Sequence, residues 1–181
     1  MSLTRSVTRF RSRGSVALAA GSVGAVALLI GTTGAVAEAA SQGIHSAVLA
    51  YYLQNQTHEY LTPSGRPFTP SATHPIKPGD QIDRIDLLYA GSSASHAGVW
   101  SASDHQHCVF NARGDAVCHA QISIAGSLVL TEVTQSRPTT TIREKVVGGS
   151  GAYAGVTGKA VVVLPTPLAL DGDLTLTLHG V

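Results

Sequence analysis

Gly148 to Ala160 reads GGSGAYAGVTGKA, and five glycines within it admit two readings: a loop that cradles a phosphate, or a chain reversal between strands. A dinucleotide-binding loop needs G-x-G-x-x-G after a strand and before a helix, so that helix amides face the pyrophosphate. Gly149, Gly151 and Gly155 are one residue too widely spaced for that pattern. Ala160 follows Lys159 where a P-loop needs Ser or Thr, and Ala152 stands where a nucleophile elbow needs its last glycine. The chain beyond is not helical in character. Lys159 to Leu164 is KAVVVL, β-branched and apolar, and it stops at Pro165. The stretch therefore joins the strand TIREKVV (Thr141–Val147) to the strand VTGKAVVV (Val156–Val163). Gly148, Gly149 and Gly151 supply the turn, while Gly155 and Gly158 allow bends where a sheet curves.

Working outward, most of the chain after residue 40 reads as strand. Ile44 to Leu53 is a first apolar run, and residues 54–80, with five prolines, read as a long irregular connection. Ile82–Tyr89 alternates, with Asp83, Ile85, Leu87 and Tyr89 on one face and Arg84, Asp86 and Leu88 on the other. Further strands are expected at Ala97–Ser101, His105–Asn111, Ala116–Ile124, Ser127–Thr134, Thr139–Val147, Gly155–Leu164 and Asp173–His179. The last of these holds a strict LTLTLH alternation. Closely spaced strands with almost no helical periodicity point to an all-β sandwich or a closed antiparallel barrel.

The amino terminus has a different composition. Arg5, Arg9, Arg11 and Arg13 precede the uncharged Val16–Ile30, and Ala35-Val36-Ala37 and Ala37-Glu38-Ala39 offer small residues at cleavage spacing. That order describes a secretory signal peptide over 1–40, followed by a single domain over 41–181. The apolar run is short for a membrane span of ~20 residues. Without the signal, 8 of the 12 basic and 10 of the 11 acidic residues remain, a formal charge of −2. Such a balance disfavours nucleic acid as a partner and leaves no membrane anchor in the mature form.

Cys108 and Cys118 are the only cysteines, and export favours their pairing. Ala112-Arg113-Gly114 suits a three-residue hairpin loop, and the register that pairs Asn111 with Asp115 sets the two cysteines opposite each other. The same register sets His107 opposite His119, with His105 about 7 Å from His107 on one face. Three imidazoles on two strands could hold zinc or copper; the plainer alternative is three polar residues on the face opposite Cys108 and Cys118.

VVGGSGAYAGVTGKA resembles the glycine-rich hairpin motif of plant allene oxide cyclases and dirigent proteins. Pro78-Gly79-Asp80 and IDLLYAG (Ile85–Gly91) are similar to the G-D and L-Y-x-G elements of the cyclases, and the likeness spans about residues 77–181. The resemblance implies a single eight-stranded antiparallel barrel, often trimeric, with a pocket for an apolar small molecule and no cofactor. It carries the cyclases' pocket asparagine onto Asp86 and their pocket cysteine onto a position near Cys108. The dirigent arginines of this motif fall on Ala154 and Thr157.

The expected function is that of a secreted barrel binding a hydrophobic small molecule, as a cofactor-independent cyclase or isomerase or a dirigent-like guide to coupling. The alternative is a non-catalytic extracellular binding or structural barrel. Candidate catalytic residues are Asp83, Asp86 and Tyr89, with Ile85, Leu87 and Trp100 as apolar ligand contacts. Alternation favours Asp83 as the pocket acid and the family likeness favours Asp86; which strand face lies inside decides between them. Glu144 and Lys145, just before the glycines, read as strand-end surface residues.

Overall fold

The computed structural model describes residues 46–180; the basic and apolar stretch read as a signal peptide lies outside the described residues. Alternating polar and apolar side chains produce ten strands: β1 (Ala47–Leu61), β2 (Pro67–Phe68), β3 (Gln81–Ser92), β4 (Ser95–His96), β5 (Ala102–Phe110), β6 (Ala116–Ile124), β7 (Ser127–Gln135), β8 (Thr141–Ser150), β9 (Thr157–Val163) and β10 (Gly172–His179). All pairings are antiparallel, in the order β1-β10-β9-β8-β7-β6-β5-β3, and β3 pairs back onto β1 to close a barrel of eight strands. Closure removes the free edges that an open sheet would present. The two short strands β2 and β4 extend the ends of β1 and β3. Among the described residues no helix is long and apolar enough to cross a membrane.

The glycine stretch is a barrel corner. β8 runs through Gly148 and Gly149 to Ser150, a single turn of 3₁₀ helix spans Gly151–Tyr153, and the chain returns as β9. Gly158 has φ +148°, and a Cβ there would collide with the carbonyl of Thr177 on β10. At Gly149 a Cβ would strike the carbonyls of Leu128 and Tyr153. Only glycine permits backbones this close.

Two boundaries differ from the sequence reading. β1 continues through 54–61, pairing with β3 as far as Leu61↔Gln81, so the irregular connection is confined to the residues after it, apart from the short β2. This half of β1 alternates poorly because a bulge between Asn55 and Thr57 shifts its parity, which hides it from a period-2 test. Residues 97–101 are not strand. They form a link held by Ala97 N–H to the Ala90 carbonyl and Ser101 N–H to the Leu88 carbonyl, and β5 starts at Ala102.

The apolar inward rows fill one part of the barrel, where Leu53, Leu88, Ile122, Val129, Leu174, Leu176 and Leu178 are fully enclosed. A smaller cluster surrounds the Cys108–Cys118 disulfide, with Ile82, Phe110 and Val133 against it. Cys108 and Cys118 face each other across β5 and β6 in the register expected from the hairpin. Between these two clusters the inward rows turn polar.

Candidate functional site: a buried carboxylate layer

On β3 the inward residues are Ile82, Arg84, Asp86 and Leu88; on β5 they are Ala102, Asp104, Gln106 and Cys108. Cross-strand neighbours point to the same side of a sheet, so Asp86 opposite Asp104 and Arg84 opposite Gln106 all enter the barrel. Thr131 of β7 and Glu144 of β8 complete the layer, each less than one-tenth exposed. From β1, Asn55 lies opposite Asp86 and His58 opposite Arg84.

Part of this layer is closed on itself. The Arg84 Nε–H donates to both Asp86 oxygens, at 3.0 and 2.7 Å, and its Nη2 donates to the carbonyl of Leu170 in the β9–β10 connection. The Asn55 side-chain amide gives Asp86 a further hydrogen bond at 2.8 Å. Burial pushes the Asp86 carboxyl up, and the Arg84 charge with the hydrogen bonds from Asn55 and Arg84 opposes that rise. Asp86 is thus an anchor that holds Arg84 in place, at the position to which the cyclase asparagine maps. The Asn55 amide, in an Asn-Gln-Thr triplet, is occupied by this contact.

The rest of the layer is open to chemistry. Glu144 accepts hydrogen bonds from the Thr131 hydroxyl and, at 3.3 Å, from the Gln106 amide. Burial raises its carboxyl; these two donors and Arg84 restrain the rise. Asp104 has no such help. Its Oδ1 is buried without any hydrogen-bond partner. Burial first, then the charges of Glu144 and Asp86, push its carboxyl well above the ordinary range, against only Arg84. Three carboxyls face one guanidinium, and Asp104 is the least supported of them, so burial and its neighbours favour its protonated form. The Nδ1 of His58 is likewise buried and unpartnered, and burial together with Arg84 lowers its pKa, which keeps the imidazole neutral.

The residues singled out from sequence are distributed differently. Asp83, Ile85, Leu87 and Tyr89 lie on the outer face of β3, because Arg84, Asp86 and Leu88 occupy the interior. Asp83 receives His105 Nε2 at 2.7 Å on that outer face. The Tyr89 hydroxyl donates to Gln54 Oε1, and its ring lies against Tyr52 and His96. Ile85 and Trp100 are exposed, so neither lines an interior pocket. His107 does face His119 across β5 and β6, yet among the described residues no group of three His, Cys, Asp or Glu side chains could hold a metal ion. The weak metal candidate of His105, His107 and His119 is not assembled: all three are exposed on the barrel wall and His105 is turned to Asp83. Glu144 is the reverse correction, a residue read as surface that is buried. Its signal was present in TIREKVV, where Ile142, Glu144 and Val146 share a face and Arg143 and Lys145 take the other. Asp104 shares parity with Cys108, so the disulfide itself points to it. The bulge leaves no such route to His58.

No protein-family model matches the chain, and no curated protein matches it. Its fold is similar to solved structures. Pyocyanin demethylase aligns with TM-score 0.55 at 19% identity, over 74% of this chain and 100% of its own. A pterocarpan synthase dirigent protein aligns with TM-score 0.57 at 13% identity, over 77% of this chain and 97% of its own. The Diels Alderase AbmU from Streptomyces koyangensis aligns with TM-score 0.54 at 16% identity, over 75% of this chain and 64% of its own. In fold, the chain is a closed eight-stranded antiparallel barrel, an architecture similar to that of these solved structures.

Proposed function

We propose that the protein is a secreted, cofactor-independent barrel that takes up a hydrophobic small molecule and steers its cyclisation, isomerisation or coupling. The observation that carries this reading is the Asp104 carboxyl buried inside the barrel, its Oδ1 without a hydrogen-bond partner. An apolar wall holds a flexible substrate near its reactive shape, which removes much of the entropic barrier. Asp104 then donates a hydrogen bond or a proton to an oxygen on which negative charge develops. A ring closure or isomerisation leaves the substrate's atoms unchanged, so that proton returns within one turnover. Glu144, held by Thr131 and Gln106, supplies the second carboxyl at a different pKa. Arg84 and Asp86 act as positioning residues. The disulfide suits an oxidising compartment, and a homotrimer without nucleic acid or membrane contact is the assembly that accompanies this reading.

The fully enclosed leucines and valines of the main core favour a second reading, a non-catalytic extracellular barrel, because they leave little room at that end. Native mass spectrometry of the protein from its own host separates the two. An organic adduct released on denaturation is expected, and Asp104→Asn should lower its turnover by about 100-fold while binding persists. A bare chain, or turnover indifferent to Asp104→Asn, would leave the non-catalytic reading in its place.

A further inference from the structure

The barrel wall is split on one side. β7 and β8 pair from Leu128↔Ser150 only to Glu132↔Lys145. Beyond that point β7 stays paired to β6 as far as Gln135↔Ala116, and β8 to β9 as far as Thr141↔Val163, but not to each other. Two clefts of about 310 and 350 Å³ lie along this split and share Val133, Thr134 and Arg143. Val133 reaches both from an inward row and Ile142 reaches the second, whereas His119, Glu132, Arg143 and Lys145 belong to the outer face of the wall. Val133 packs on the disulfide cluster and Ile142 on the main core, and the next inward residue after Ile142 is Glu144. Their rim is basic. Arg137 and Arg143 are exposed, and among the described residues neither is in an ion pair. The one acidic residue on the rim, Glu132, faces Lys145 at 3.8 Å.

We propose that this split binds an amphipathic ligand, its small anionic head group on Arg143 and Arg137 and its apolar body directed inward between Val133 and Ile142. Arginine presents a planar fork of donors that matches carboxylate and phosphate oxygens, and hydroxyls of Thr134, Thr139 and Thr141 stand beside it. A rim of uncommitted cations above an apolar floor selects for a molecule carrying both chemistries. The inference rests on the proposed function only in taking the barrel interior as the destination of the apolar body.

The test is a fluorescence titration of the purified protein with an anthroyloxy-stearate and with its methyl ester. The acid should bind about tenfold or more tightly than the ester, and Arg137→Gln with Arg143→Gln should erase that preference. Arg143→Lys should retain part of it, because the charge remains without the fork. Competition by an alkyl phosphate as well as by a fatty acid supports an anion site in general; competition by the fatty acid alone narrows it to carboxylates. Equal affinity for acid and ester, no saturable binding of either, or a preference that survives the double substitution would overturn the proposal. If Asp104→Asn leaves turnover unchanged while the arginine variants lose the preference, the proposed function falls and the cleft stands.

Discussion

Burial first, and then the charges of Glu144 and Asp86, push the Asp104 carboxyl up, and no donor reaches its Oδ1 to oppose them. An acid whose folded pKa is raised binds protons more tightly folded than unfolded. Its favourable contribution is complete below the ordinary carboxylate range of about pH 4 and is lost as pH rises through the folded value. Asp104→Asn should therefore raise the melting temperature at neutral pH, by ~3 °C or more, with the gain shrinking towards pH 4. A gain constant across that range would show that Asp104 ionises normally. Arg84 makes the opposite case. Removing it as Arg84→Met would leave Asp86, 1% exposed, with Asn55 as its remaining side-chain donor, at a cost of about 3–5 kcal/mol in chemical denaturation. Adding Asp86→Leu should recover much of that loss, since an apolar pair needs no solvation.

Elements carry the stability of the corner and of the hairpin. The disulfide joins adjacent strands across ten residues of sequence, so it restrains mainly the unfolded hairpin. Cys108→Ser with Cys118→Ser should lower stability by about 2–3 kcal/mol and leave ligand affinity intact; an unchanged melting temperature would mean the bridge contributes nothing. Gly158→Ala should cost at least about 2 kcal/mol, because its Cβ meets the Thr177 backbone at a φ that L-residues avoid. The same substitution at Gly114, with open space around it, carries the φ penalty alone and should cost roughly half as much. Most strands were legible because Val, Leu, Ile and Thr alternate strictly, as in LTLTLH. The second half of β1 was not, because one bulge residue inverts its parity and its burial is partial.

For the whole molecule, closure and the split predict uneven motion. Amides of β3, β6 and β10 around the filled core should exchange only by global opening, whereas those of 133–135 and 141–144 that face the split should exchange sooner. Uniform protection across β7 and β8 would mean that the wall is closed in solution.

The residues by themselves determined the antiparallel strands, the glycine corner and the disulfide register, since each depends on local period, turn chemistry and short sequence separation; the choice of a closed barrel over a sandwich needed the family likeness and the long-range pairing of β3 with β1. The inside of that barrel was decided by tertiary structure. Alternation favours Asp83 and the family likeness favours Asp86, and only closure of β3 against β1 and β5 turned Asp86 inward and Asp83 to solvent. The same closure gathered Asp104, Glu144 and His58 from three distant segments into one enclosure. Their protonation states follow from mutual charge and burial there, quantities that exist only once the chain has folded.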